Sequence, residues 1–467
     1  MKSRSGTRAL AQRLGVDYVG ADVSLTGVSL SAGEVEPGDL FVAVAGARYH
    51  GIDFAAEAIQ RGAVAVLTDS AEELEIPVLV HPSPKTILGE VCEDILGPVD
   101  LQLFGVTGTN GKTSVTTYLR ELLTAQGVKT ALSSSVGFST PSDHFPSSLT
   151  TPELTTLRKY LHRFANEGGQ AAAIEVSAQA LTRHRVDGLK FDVVGFTNLS
   201  RDHMDDYGDM GTYFAAKAEL FTAERANHGV VFLGDDYARQ LAANASIPVT
   251  TIGPDGDVQY EFQARALRLT GALNLELDFP SGELMARNFA VAAVMLHVAG
   301  YKLTRLSSAA GFQVPGRLEL VSEARPHVYV DYAHTPDGIA AAVAEIASRY
   351  PGVSLVFGAS GNRDQGKRFE MGAAAASASR VYLTDQHPRD EDPAEIRRAV
   401  AKGIESQNKE FIEVSNPAEA VAAAIAGTPR DEAVLWCGPG HLKYREIAGQ
   451  KVPFDAREIA KSLVEKC

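Results

Sequence analysis

Residues 105–114 read Gly105-Val106-Thr107-Gly108-Thr109-Asn110-Gly111-Lys112-Thr113-Ser114. Glycines let backbone N–H groups close on an anion, a lysine adds a point charge, and a threonine hydroxyl can sit on a divalent cation. Together they suit the phosphates of a nucleotide. Lys112 would neutralise the β/γ-phosphates and Thr113 would meet Mg²⁺. The general phosphate-loop pattern asks for a glycine five residues before Gly111, and this chain has Val106 there. Glu175 and His203 each follow an apolar run and suit one Mg²⁺ shell, although a strand-end glutamate taken alone is more often solvated or paired. Lys217, inside Tyr213-Phe214-Ala215-Ala216-Lys217-Ala218-Glu219, reads by itself as a surface lysine on an amphipathic helix.

The elements that must position these groups can be read from the apolar pattern. At 467 residues the chain should form about three domains. A hydrophobic fraction of 45% and a charged fraction of 22% exclude a disordered or fibrous chain. A net charge of −14 argues against broad binding to nucleic acid or an anionic membrane, so neither is expected as a partner. Cys92, Cys437 and Cys467 are too few and too scattered for a disulfide framework or a zinc motif, which predicts a reducing compartment. With no signal-like N-terminus and no long apolar run, a cytoplasmic location is expected.

Residues 1–98 predict a small α/β domain, with strands near Phe41–Val44 and Ala63–Leu67 and a helix between Asp53 and Gly62. After the Gly97-Pro98 turn, a central domain spans 99–314. The strand Leu101–Val106 runs into the glycine-rich loop, a helix covers Ser114–Ala125, and strands follow at Ala171–Val176, Phe191–Phe196 and Val230–Leu233. The Val314-Pro315-Gly316 turn opens a third domain, 315–467, with strands at Val328–Val330, Val353–Phe357, Val381–Leu383 and Ala433–Trp436 between alanine-rich helices. The fold class is α/β throughout: a small N-terminal domain, a central P-loop-like domain with a mainly parallel sheet, and a C-terminal Rossmann-like domain.

The wording Thr107-Gly108-Thr109-Asn110-Gly111-Lys112-Thr113 resembles the ATP loop of the Mur ligases and their folylpolyglutamate synthetase relatives. Leu149-Thr150-Thr151-Pro152-Glu153, Ile174-Glu175-Val176-Ser177, Phe196 to His203, Tyr213 to Lys217, Val330-Asp331-Tyr332-Ala333-His334-Thr335-Pro336 and Gly358 to Arg368 narrow the resemblance to the MurE type. It extends from Pro37-Gly38-Asp39-Leu40-Phe41 to Gly449-Gln450-Lys451-Val452-Pro453-Phe454.

The resemblance implies an ATP-dependent, Mg²⁺-requiring ligase that adds the third amino acid to UDP-MurNAc-L-Ala-D-Glu through an acyl phosphate, in peptidoglycan precursor synthesis. A cytoplasmic monomer taking this nucleotide sugar and a free amino acid is expected. Lys112, Glu175, His203, Lys217 and His334 become the catalytic candidates. The metal ligands would be Thr113, Glu175, His203 and Lys217, the last as a carbamate made with CO₂, which requires a lysine held neutral. ATP would meet Gly108, Thr109, Asn110, Gly111, Lys112, Thr113, Ser114, Asn288, Arg317 and Asp331. The UDP-MurNAc-dipeptide would meet Leu30, Ala47, Arg48 and Tyr49 in the N-terminal, uridine-binding domain, and Thr150, Thr151, Ser177, Arg183 and Arg185 in the central one. Ala32, Gln179 and Arg183 depart from the residues usual in the family. Alternatives are a ligase of this fold acting outside the cell wall, as folylpolyglutamate synthetases do, and an inactive scaffold that binds nucleotide sugars. The uridine-site loop and Thr150-Thr151-Pro152 argue against the first, and the complete catalytic set against the second.

The incoming amino acid would meet Arg363, Gln386, His387, Pro388, Arg389, Gly438 and Leu442. Family enzymes for diaminopimelate carry Asp-Asn-Pro-Arg where this chain has Gln386-His387-Pro388-Arg389, and Gly-Lys-Gly-His-Glu where it has Gly438-Pro439-Gly440-His441-Leu442. Two carboxylates that would face a distal ammonium are thus absent, and burying an unpaired ammonium is costly. The expected residue is meso-diaminopimelate or one lacking a distal amine, such as homoserine; the competing expectation is that Asp385 or Asp390 takes the missing role.

Overall fold

Apolar runs too continuous to be amphipathic become strands buried on both faces, the environment of parallel sheets. A computed structural model describes residues 6–46, 49–147, 149–303, 308–309, 311–362 and 364–466. The candidate contacts Ala47, Arg48 and Arg363 lie outside the described residues.

Three sheets follow one another along the chain. The first has five strands in the spatial order Asp17–Val19, Val78–Val80, Ala65–Thr68, Asp39–Ala43 and Gly27–Ser29, parallel except for the edge pair Asp17–Val19 with Val78–Val80. The third has six, in the order Glu319–Ser322, His327–Asp331, Ala433–Cys437, Val353–Phe357, Arg380–Leu383 and Ile412–Glu413, with only the first antiparallel to its neighbour. The central sheet has eleven strands, and its middle is parallel.

The central sheet positions the site. Strand Gln102–Thr107 lies between Ala171–Glu175 and Phe191–Phe196, with Thr130–Ser134 next to Ala171–Glu175. The chain order reverses direction across Gln102–Thr107, and ligands bind at such switch points, beyond the carboxyl ends of the strands. Register brings those ends level: Glu175 is opposite Val106, and Phe196 opposite Thr107. The glycine-rich loop, Glu175 and the segment leading to His203 therefore emerge side by side.

The antiparallel additions were not legible as strands of this sheet. Val258–Gln263, Ala266–Gly271 and Leu275–Asp278 extend one edge, with alternating burial, because one face covers the core while the other meets water. A separate hairpin, Tyr444–Ile447 with Gln450–Pro453, follows the last strand of the third sheet.

The units are bound to one another. Arg158, 1% exposed, donates to Glu93 at 2.6 Å and to the carbonyls of Gly97 and Gly188, joining the helix Leu88–Leu96 of the first unit to the central one. The core on the Glu283–Val298 side of the central sheet continues into that of the third sheet. No helix among the described residues is long and apolar enough to cross a membrane.

Candidate active site

The loop after Thr107 is shaped by two glycines. Gly108 has φ +144°, and a Cβ there would lie 2.0 Å from Thr197 Oγ1; Gly111 has φ +89°, and a Cβ would lie 2.3 Å from Asn288 Oδ1. Only glycine combines that backbone with that closeness. The helix Lys112–Ala125 starts immediately afterwards, pointing its free N–H groups into a cavity of about 490 Å³. Thr109, Asn110, Gly111, Lys112, Thr113 and Ser114 all line that cavity.

Lys112 Nζ donates to the carbonyls of Gly108 and Thr109, each at 2.8 Å. Burial lowers its pKa, opposed by Glu175 and Asp202. Glu175 is 1% exposed, and its Oε1 accepts the Ser135 N–H at 3.1 Å. Burial raises its pKa against the pull of Lys112, a hydrogen bond from Thr113, and Arg317.

Asp202 is the hub of the opposite wall. Its Oδ1 meets Lys367 Nζ at 3.1 Å, and its Oδ2 lies 3.5 Å from His203 Nε2 and 4.0 Å from His334 Nε2. Burial would raise the Asp202 pKa, but Lys367 and the two imidazoles outweigh it and hold the carboxyl well below its ordinary range. His203 is lowered by burial and stays neutral near pH 7; His334 is lowered to about 4 by burial and by Lys367. His334 Nδ1 lies 2.9 Å from the Tyr332 carbonyl, an acceptor, so that nitrogen carries the proton. Neither Asp202 nor Lys367 was assigned a role from the sequence, although both sit inside the motif blocks.

Lys217 is not a surface lysine. It is 1% exposed, with Nζ 2.8 Å from the Gly108 carbonyl and 4.5 Å from the centre of the Tyr213 ring. Burial and the nearby Lys112 drive its pKa well below the ordinary lysine value. Its nitrogen faces the back of the glycine-rich loop.

From the third unit come Arg317, Asp331 and His334. Arg317 Nη2 donates to Thr113 Oγ1 at 3.0 Å, Nη1 approaches His441 Nδ1 at 3.2 Å, and the guanidinium stacks 4.4 Å over Tyr332. Asp331 caps the turn that follows, accepting the N–H groups of Leu318 and Ala333 at 2.8 and 2.7 Å. Asn288, on the helix Glu283–Val298, completes this wall.

The far end of the same cavity carries Gln386, His387, Arg389, Gly438 and Leu442. Gly438, φ +114°, leaves room for the Gln386 amide, 2.3 Å from where a Cβ would be. Pro388 serves the loop itself: its carbonyl closes against Gly361. Asp385 is paired with Arg397, and neither Asp385 nor Asp390 is among the residues lining the cavity. Glu446 and Asp364 do line it, and neither was singled out from the sequence because they lie outside the two motifs.

Residues 106–295 match the Mur ligase middle domain, 316–440 the Mur ligase glutamate ligase domain, and 24–94 the Mur ligase family catalytic domain. The chain is 42% identical to a UDP-N-acetylmuramyl-tripeptide synthetase of Leifsonia xyli, over 94% of this chain and 91% of the relative. This chain belongs to the Mur ligase family. A Mur ligase of Streptomyces coelicolor, named UDP-N-acetylmuramoyl-L-alanyl-D-glutamate–2,6-diaminopimelate ligase, is 36% identical over 98% of this chain and 96% of its own. A solved structure of a ligase so named has a TM-score of 0.64 at 26% identity, covering 96% of this chain and 97% of that one. Mur ligases are ATP-dependent, and this Mur ligase has the three-unit α/β architecture of that family.

The remaining predicted contacts of this Mur ligase fall in different places. Leu30 and Tyr49 line a second cavity of about 470 Å³ in the first unit, with Lys85 and Glu153. Thr150 lines the main cavity. Thr151 is fully buried and donates to the Glu175 carbonyl at 2.7 Å, and Ser177 caps the helix Ala178–Thr182 by accepting the Ala180 N–H. Arg185 is paired with Glu153 at 2.9 Å, and Arg183 with Asp206 at 3.0 Å on the surface. Among the described residues, no group of three or more His, Cys, Asp or Glu forms a metal cage.

Proposed function

We propose that this Mur ligase joins the third amino acid to UDP-MurNAc-L-Ala-D-Glu, with ATP cleaved to ADP and phosphate, as a step of peptidoglycan precursor synthesis. One observation carries the reading: the segment Leu149–Glu153 borders both cavities, with Leu149 and Thr150 on the larger and Glu153 on the smaller. A ligand with its uridine in the first unit, against Leu30 and Tyr49, can therefore extend its dipeptide along this segment to the phosphate loop. A folate-type substrate has no use for such a bridge.

The peptide carboxylate attacks the γ-phosphorus of ATP, ADP leaves, and the incoming amine attacks the acyl phosphate carbon, expelling phosphate. Lys112 and Arg317 balance charge on the transferred group, and the neutral histidines His203 and His334 leave their lone pairs available. The donors fit Mg²⁺: the Thr113 hydroxyl, the Glu175 carboxylate and His203 would hold it, leaving positions for phosphate oxygens and water. When bound, Mg²⁺ supplies charge neutralisation for phosphoryl transfer. We assign Lys217 as the carbamate site, because burial drives its pKa well below the ordinary lysine value, toward the neutral amine that CO₂ requires. We place this Mur ligase in the cytoplasm as a monomer; the buried free thiols Cys92 and Cys437 suit a reducing compartment.

The test is ADP release on mixing ATP, Mg²⁺, UDP-MurNAc-L-Ala-D-Glu and a mixture of amino acids, with product mass read directly. Turnover should require the nucleotide dipeptide. Equal turnover with a pteroyl-glutamate substrate instead would contradict the reading.

A further inference from the structure

Arg317 reaches the phosphate loop from the third unit with one nitrogen and is held by another. Nη2 donates to Thr113 Oγ1 at 3.0 Å, while Nη1 is shared between the Gly316 carbonyl and His441 Nδ1, both at 3.2 Å, and the guanidinium lies 4.4 Å over the Tyr332 ring. A guanidinium has donors only, so His441 Nδ1 accepts and the neutral imidazole carries its proton on Nε2. Nε2 is enclosed and makes no ordinary hydrogen bond; the Ser135 carbonyl of the central unit is the acceptor that draws on its proton. His441 is buried and is not among the residues lining the cavity, whereas Arg317 and Tyr332 are. It touches the arginine from behind.

The backbone is shaped for this contact. Gly316 has φ +64°, and a Cβ there would lie 2.2 Å from the His441 nitrogen; Gly440 has φ +51°, and a Cβ would lie 2.6 Å from Tyr332 Cβ. Only glycine at both places lets the turn before Arg317 and the segment before His441 come this close. The N–H groups of Gly438 and Gly440 both donate to the Asp331 carbonyl, at 2.9 and 3.1 Å, which pins that segment to the end of the strand His327–Asp331.

Charge decides what kind of group can hold the arginine. Asp331 and Glu175 already attract the guanidinium. A further carboxylate in contact with it would cancel the positive charge that a transferring phosphoryl group needs, whereas a neutral imidazole supplies the acceptor alone. Fixing a long side chain costs rotamer freedom, and with Nη1 held by His441 that cost is met in folding instead of on binding ATP.

We infer that His441 is a positioning residue for Arg317: as an uncharged acceptor it holds Nη1, so that the arginine keeps its charge and its aim at the phosphates beside Thr113. This rests on the reading above, in which Arg317 balances charge on the transferred group. His441 acts through the ATP side of the cavity and not on the incoming amino acid.

The test is steady-state kinetics with ATP, UDP-MurNAc-L-Ala-D-Glu and the amino acid best used by the wild type, for His441→Phe, His441→Asn, His441→Gln, Arg317→Ala and the double variant Arg317→Ala with His441→Phe. Phenylalanine keeps a ring against Tyr332 and removes the acceptor; asparagine returns an oxygen near the Nδ1 position, and glutamine places its oxygen near Nε2 instead. His441→Phe should lower kcat/KM for ATP by about 10- to 100-fold, the scale of one charged hydrogen bond, with KM for the amino acid nearly unchanged. His441→Asn should recover part of the loss and His441→Gln less. In the Arg317→Ala background His441→Phe should add nothing, because the group it serves is gone. Undiminished ATP kinetics in His441→Phe, a change confined to the KM of the amino acid, or an equal loss in both backgrounds overturns the inference while the role of Arg317 stands. If Arg317→Ala itself leaves ATP kinetics intact, the reading of Arg317 fails and the inference falls with it. Should His441→Phe not fold, glutamine equal to or better than asparagine overturns the inference, and asparagine ahead of glutamine supports it.

Discussion

Lys112 and Lys217 donate to the same carbonyl oxygen, that of Gly108, each at 2.8 Å. Two ammonium groups on one acceptor repel each other in a buried site, so the pair favours one neutral amine. Burial and Lys112 both push Lys217 that way, whereas Glu175 and Asp202 oppose the effect of burial on Lys112. A neutral lysine can take up CO₂, and the resulting carbamate, being an anion, would leave the carbonyl and turn toward Lys112 and the cavity. Replacing Lys217 with Ala should therefore lower kcat by about 100-fold or more, with partial rescue by short carboxylates and little change in the unfolding midpoint. Undiminished turnover of the variant would remove the carbamate from the mechanism.

Gly111 tests the fit of the phosphate loop. Gly111→Ala must place a methyl group 2.3 Å from Asn288 Oδ1 at φ +89°. The helix carrying Asn288 should be pushed back, raising KM for ATP about tenfold or more and lowering stability by about 1–3 kcal/mol. Steady-state kinetics with varied ATP and urea unfolding check both.

The pH dependence of stability follows from the buried histidines. His334 and His387 are lowered to about 4 and His441 to about 3, each from 6.5 and each chiefly by burial. Above about pH 6.5 both folded and unfolded states hold them neutral, so they contribute no slope. As the pH falls below that value the unfolded chain binds protons first, and stability should drop down to about pH 4. For His387 alone the displacement corresponds to about 3 kcal/mol. Urea midpoints measured from about pH 7.5 to about pH 4.5 should fall, and His387→Asn should flatten part of that slope.

The reach of the sequence differed from element to element. Parallel strands were legible because both faces are buried: Ala171–Glu175 and Phe191–Phe196 are apolar but for Glu175 and Asp192, and polar groups follow or close their carboxyl ends. The phosphate loop was legible because its glycines are dictated by closeness to Thr197 and Asn288, independently of distant packing. The hairpin Tyr444–Ile447 with Gln450–Pro453 was not, since its residues are half-buried or exposed with no periodic apolar pattern. The placement of Glu446 beside Arg389 depends on hydrogen bonds to a loop more than fifty residues earlier, which no local spacing reveals. The burial of Lys217 was not legible in its own segment, because its helix resembles any amphipathic one until Gly108 and Tyr213 close over it.

Domain docking offers a test away from the chemistry. Arg158 is buried and serves Glu93, Gly97 and Gly188 together. Arg158→Ala leaves two carbonyls and a carboxylate without that donor, and should cost about 2–4 kcal/mol. Proteolysis near residue 97 should accelerate as the first unit loosens.

In the proposed reaction the D-glutamyl carboxylate is activated by phosphorylation within one cavity shared by the phosphate loop and the third unit. Turnover with UDP-MurNAc-L-Ala-D-Glu carrying ¹⁸O in that carboxylate tests it most directly. With both carboxylate oxygens labelled, each phosphate released should carry one ¹⁸O atom, because one carboxylate oxygen leaves with the phosphoryl group. Label retained wholly in the peptide product, with unlabelled phosphate, would contradict it.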